Sequence, residues 1–186
     1  TVFTVQTAVT KPRFFALLRT SFANEAAFKT RITKFVLEHE TCFERSEDHG
    51  HLTGSAWIVN QHHDHVILMH HKKLNRWFQP GGHADGEHNM FEVARREAME
   101  ETGLALEDIK PLSESIFDVD VHAIPESDKE HRHEHFDVRF LFQVDDQLAI
   151  PGNNESHQIG WVPLDDIKRF NNNLSTHRMA EKTRRL

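Results

Sequence analysis

Apolar residues in this chain fall into a few runs, and the spacing within each run points to the element it builds. Between residues 13 and 39, Phe14, Leu17 and Leu18, then Phe28, Ile32, Phe35 and Val36, recur at three- and four-residue steps, the period of one helix face. A polar break over 20–24 divides this stretch into two helices. Residues 52–59 (LTGSAWIV) and 66–71 (VILMHH) are strand-like and are joined by a polar turn over 60–64. Further on, 116–123 and 136–144 alternate as strands. In the second, Phe136, Val138, Phe140 and Phe142 point one way and His135, Asp137, Arg139 and Leu141 the other. One face therefore goes to the core and the other can reach a site. Residues 161–164 form a short strand before a helix start at Asp165, and 174–185 close the chain as a basic amphipathic helix. Strands and helices alternating around a mixed sheet predict an α/β fold, an α/β/α sandwich.

The segment between the early and late strands is patterned differently. Trp77, Phe78 and Gln79 lead into a Pro-Gly-Gly loop, and a helix begins at Asn89, which with Glu92 has the spacing of a capping box. Met90, Val93 and Ala94 supply its inward face, and Gly103 fits the left-handed residue that ends such a helix. Glu97, Glu100 and Glu101 stand at i, i+3 and i+4 and share one helix face. Like charges at that spacing destabilise a helix by a few tenths of a kcal/mol per pair, so a cation is expected to neutralise them. Three carboxylates with no His or Cys among them suit a hard ion, Mg2+ or Mn2+. A solvated acidic face is the alternative for an EAMEE stretch taken alone. The glycines at fixed distance on either side argue against it.

Composition narrows the classes. With 186 residues the chain is long enough for one well-cored domain with an appended element, here residues 1–48 as an N-terminal helical extension packed on a core of 49–186. An apolar fraction of 38% and a charged fraction of 27% are globular values, and no apolar run is long enough to span a membrane. No secretory signal opens the chain, and a single cysteine, Cys42, excludes an intramolecular disulfide; both lead to an expected cytoplasmic location. A net charge of −7 excludes a broad nucleic-acid surface but not phosphorylated small molecules, since bound metal ions invert the local charge. The sixteen histidines are dispersed rather than clustered as a tag. Nothing in the chain distinguishes a monomer from a homodimer.

Residues 80–104, PGGHADGEHNMFEVARREAMEETGL, resemble the Nudix box, G-x5-E-x7-R-E-U-x-E-E-x-G-U with U a bulky apolar residue. Gly82 takes the first position, Arg96-Glu97 the R-E pair, Glu100-Glu101 the E-E pair, and Gly103-Leu104 the close. Two positions depart from the pattern: His88 stands where the first Glu belongs, and the first U is Ala98. In the family that Glu braces the box arginine, so support for Arg96 is in question. Glu92, four residues before Arg96 on the helix, is the candidate substitute.

The resemblance implies a divalent-metal-dependent hydrolase that cleaves a pyrophosphate bond in a nucleoside diphosphate linked to another moiety. It implies that Glu97, Glu100 and Glu101, with a backbone carbonyl of Gly81 or Gly82, hold Mg2+ or Mn2+, and that Arg96 orients the carboxylates. Metal lowers the pKa of a bound water for attack on phosphorus. The base is Glu97 or Glu155, the latter read equally well as an exposed loop acid. His83, directly after the glycines, is expected to line the site. Trp77 is a core residue or a platform for a base, with core preferred. The alternation His131, His133, His135 could set imidazoles at a strand end near the phosphates; a charged, solvated loop over 125–134 is the preferred reading, with His133 and His135 held as candidate site members. A Nudix-fold binding or regulatory module without turnover is the second class. An isomerase on the same fold would need a cysteine in the cleft, and Cys42 lies in the extension.

Overall fold

All ten residues of the central strand, β1 (Gly50–Val59), are buried. A strand buried on both faces needs a layer on each side, and the two layers separate by residue parity. Leu52, Ala56 and Ile58 belong to one apolar cluster, while Trp57 and Val59 belong to another. The computed structural model describes residues 25–72, 75–128, 130–154 and 156–186. Around β1 stand β2 (His65–His71), β3 (Arg76–Phe78), β4 (Gly81–His83), β5 (Lys110–Pro111), β6 (Asp118–Ile124), β7 (His133–Gln143) and β8 (Ser156–Pro163) in one mixed sheet. β1 and β7 run parallel in register from Gly50↔Glu134 to Val59↔Gln143. The remaining pairings are antiparallel. On its other edge β1 pairs first with β4, at residues 53–55, and then with β2 at Val59.

Helices cover both faces, so the sandwich expected from the alternation of elements is present. α1 (Ala26–Glu38) turns Ile32, Phe35 and Val36 inward, and Phe35 stacks on Phe136 with centroids 3.9 Å apart. Residues 13–24, expected to continue the helical region, lie outside the described residues. α2 (Met90–Thr102) packs on the Leu52 face of β1. It comes so close at Gly54 that an added Cβ would lie 2.9 Å from Val93 Cγ1. The far face is covered by α3 (Ile167–Phe170) and α4 (Leu174–Thr183).

Three local expectations are corrected. Asn89 is the N-cap of α2, but its side chain makes no capping bond, and Glu87 accepts the Asn89 N–H at 2.7 Å in place of Glu92. A carboxylate arriving from the preceding turn thus does the work assigned to one in the first turn. The closing helix does not present its basic residues outward. Arg178 and Lys182 are its buried face.

The polar face of β7 does not lead to a site along its length either. Asp137 and Arg139 are buried beneath α4, and Leu141 joins the second apolar cluster. What balances these charges is a closed network. Asp118, fully buried, accepts from Arg178 Nε and Nη2 at 2.8 and 2.7 Å and from Lys182 Nζ at 2.9 Å. Arg139 bonds Asp137 at 2.7 Å and Asp120 at 3.2 Å. Burial works against its charge, but the three carboxylates around it prevail and hold its pKa above the ordinary value.

Candidate active site at the glycine strand

Two glycines set the geometry. β4 lies between β1 and α2, and its successive residues face opposite ways. Gly82 faces the helix, where a Cβ would fall 2.4 Å from Glu97 Oε2. Gly81 faces back, where a Cβ would meet Ser55 Oγ at 2.3 Å. Neither position has room for a side chain, and the Glu97 carboxylate consequently lies against bare backbone. Glu101, 7% exposed, accepts the Gly81 N–H at 2.8 Å through Oε2, which ties the end of α2 to the same strand. Gly103 ends the helix in the left-handed region, φ 71°, and its N–H reaches Met99 O. The structure therefore brings Gly81, Gly82, Glu97 and Glu101 together, with Glu100 exposed beside them.

Arg96 is braced without the missing first Glu. Its Nη2 donates to His83 O at 2.9 Å and to Glu97 Oε1 at 2.8 Å, and Nε lies 4.0 Å from Glu100. Glu92, the expected substitute, is exposed and makes no ion pair with Arg96 among the described residues. The position of the first Glu belongs to His88, whose ring stacks on Phe43 at 4.4 Å and 9°. Burial raises the Glu97 pKa above the usual carboxylate value. Arg96 opposes this, while Glu100 and Asp85 reinforce it.

His83 turns away from the helix, toward a group of histidines on the far side of the sheet. Its ring centroid is 4.9 Å from that of His51 and 5.1 Å from that of His135. His133 opens β7 and is 9% exposed, and His135 follows it on the same face. The loop preferred for 125–134 is corrected at its end: β7 begins at His133, three residues before its apolar alternation at Phe136, and pairing with β6 places both His133 and His135 on the strand. His51, paired in register with His135, went unread, as did His122 on β6. Each sits at a strand end, and only the register of strands distant in sequence brings them level. Burial first, and then the neighbouring His83 and His133 rings, push the His51 pKa down to about 4. Burial and the same surroundings push that of His135 to about 2.

Trp77 stands apart from both groups. It packs edge-on against Phe170 at 5.1 Å, stacks near His70 at 5.3 Å, and its carbonyl accepts from Asn171 at 2.7 Å. Trp77 is thus partly buried against the second apolar cluster, on the sheet face away from α2. Glu155 lies outside the described residues. Cys42 is buried in the turn after α1.

Comparison with known proteins places this geometry. The model of the NUDIX domain matches residues 50–183. A curated relative, the "Probable DHNTP pyrophosphohydrolase" of Lactococcus lactis subsp. cremoris (strain MG1363), is 29% identical over 100 residues, 53% of this chain. The chain spans 57% of the length of that relative. Among solved structures, a C. elegans Ap4A hydrolase superposes with a TM-score of 0.59 at 15% identity, covering 72% of this chain and 95% of the other. A NUDIX-family hydrolase from Clostridium perfringens does so with 0.51 at 25% identity, covering 72% and 96%.

Proposed function

Since the chain belongs to the NUDIX domain family, we propose that it is a pyrophosphohydrolase dependent on Mg2+ or Mn2+. Its substrate is a small nucleoside diphosphate or triphosphate derivative. The observation that carries this reading is the fit of Glu97 and Glu101 around side-chain-free Gly81 and Gly82. Carboxylates and a backbone carbonyl are the donor set of a hard divalent ion. Glu97, Glu100 and Glu101, with a carbonyl of Gly81 or Gly82, would hold it. When bound, such an ion offsets phosphate charge and lowers the pKa of water.

The chain's own groups do the rest. Arg96 fixes Glu97 from the side, so the carboxylate cannot swing away from the strand. A carboxylate whose pKa is raised by burial is a better proton acceptor than a solvated one, which suits Glu97 to take the proton of the attacking water at Oε2. Glu155 remains the other candidate base. The curated relative's name supports a triphosphate attached to a fused heterocycle as one substrate to test, beside dinucleotides and nucleotide sugars.

The test is a hydrolysis screen over these classes with Mg2+ and with Mn2+, run on wild type and on Glu101→Gln. Gln keeps an acceptor for the Gly81 N–H, so the variant should fold and melt within a few degrees of wild type. Its turnover should fall by at least about a hundredfold. Nucleotide binding without turnover in wild type would replace the enzyme by a sensing module, and undiminished turnover in the variant would overturn the site.

A further inference from the structure

The histidines beyond β4 form a site that the carboxylate chemistry does not use. They come from neighbouring strands in one row. His51 on β1 is in register with His135 on β7, which is in register with His122 on β6. His133 lies two residues before His135 on the same face, and His83 adjoins from β4.

His51 is 4% exposed, yet neither of its ring nitrogens has a hydrogen-bond partner among the described residues. A buried polar group left unpaired costs about 1–3 kcal/mol, and an imidazole so placed needs an explanation. His133 supplies a direction. Its Nδ1 lies 2.8 Å from His131 O, which requires that nitrogen to carry the proton and leaves a lone pair on Nε2. That Nε2 is 3.2 Å from Nε2 of His135. A backbone carbonyl fixing the tautomer of a ring, with the free nitrogen turned inward, is the support that metal-binding histidines commonly have.

We propose that His51, His133 and His135 bind a divalent transition ion of the Zn2+ class, with a fourth position open toward the rim formed by His83 and His122. One nitrogen from each of the three rings lies within 4.8 Å of the others. Tetrahedral Zn2+ with bonds of about 2.0–2.1 Å needs donor nitrogens about 3.3 Å apart. The His133–His135 pair, at 3.2 Å, already meets that spacing, and a His51 nitrogen lies within 4.8 Å of both. Three imidazoles and an open position favour a borderline ion over the hard ion that suits Glu97 and Glu101. The two sets sit on opposite sides of β4, so the proposal stands whether or not the carboxylates support hydrolysis.

Co2+ titration of the full chain reads the site directly through its visible ligand-field bands. One equivalent should bind with a tetrahedral or five-coordinate spectrum and be displaced by Zn2+. Long-range 1H–15N NMR of wild type with Zn2+ should shift the ring nitrogens of His51, His133 and His135. His51→Gln and His135→Gln should each weaken Co2+ binding at least about tenfold. His39→Gln/His49→Gln, which disrupts the other His-containing group with Glu47, and Glu97/Glu100/Glu101→Gln should leave the Co2+ spectrum unchanged. Unmoved ring nitrogens in wild type would overturn the proposal even if a variant failed to fold. So would a Co2+ spectrum lost only with the carboxylate variant or with the His39/His49 variant.

Discussion

At the scale of single residues, the structure repeatedly sets a charge against its burial and lets specific partners decide. Burial opposes the charge of Asp120, but contact with His122 and the guanidiniums of Arg139 and Arg178 outweigh it and hold the carboxyl at about 2, below its ordinary 3.8. A carboxyl depressed in the folded state stabilises it fully above the unfolded value and loses that contribution as pH falls from 3.8 to about 2. The loss is about 2 kcal/mol. Asp120→Asn should therefore show a shallower fall in unfolding free energy between pH 4 and pH 2 than wild type, measured by urea titration at each pH. Equal slopes would show that Asp120 does not carry this linkage. Which charges were buried was not legible in the sequence. Glu97, Glu100 and Glu101 could be placed because their spacing is local, whereas the environments of Asp120 and His51 depend on the register of β7 against β6 and β1.

Elements with their own periodicity were the legible ones. α2 reads from its apolar face and closing glycine, and β1 and β2 from their apolar runs, while the start of β7 was hidden behind polar histidines. α4 shows how a correct element can be turned the wrong way. Its pattern is amphipathic, but Arg178 and Lys182 face inward because β6 presents Asp118 to both. Arg178→Ala should cost about 3–5 kcal/mol, since it leaves Asp118 buried with fewer partners. The check is the denaturant midpoint. A cost below about 1 kcal/mol, typical of exposed ion pairs, would mean that α4 is held by Met179 and Ala180 packing alone.

For the molecule as a whole, the sandwich and the placement of the glycine loop beside the carboxylates followed from alternation and motif. The row of histidines did not, because a single chain does not reveal strand order. If the carboxylates hold Mg2+ or Mn2+, either ion should raise the melting temperature, with a gain that rises with the logarithm of its concentration once that exceeds the dissociation constant. At roughly a hundred times the dissociation constant the gain is about 2.7 kcal/mol for one site. Glu97/Glu100/Glu101→Gln should abolish that gain, and an equal shift in both proteins would place the ions elsewhere. One feature of the fold also governs its history. The parallel ladder ties Ser55 to Asp137 across 82 positions, and Lys182 reaches Glu25 across 157. During synthesis at about 5–20 residues per second, the apolar β1 waits roughly 4–16 s for its parallel neighbour to leave the ribosome. The ion network cannot close until α4, with Arg178 and Lys182, has emerged. A nascent chain in that interval exposes an unpaired strand of aggregation-prone character, so the yield of folded protein should depend on chaperone protection of β1 more than on the strength of the finished core.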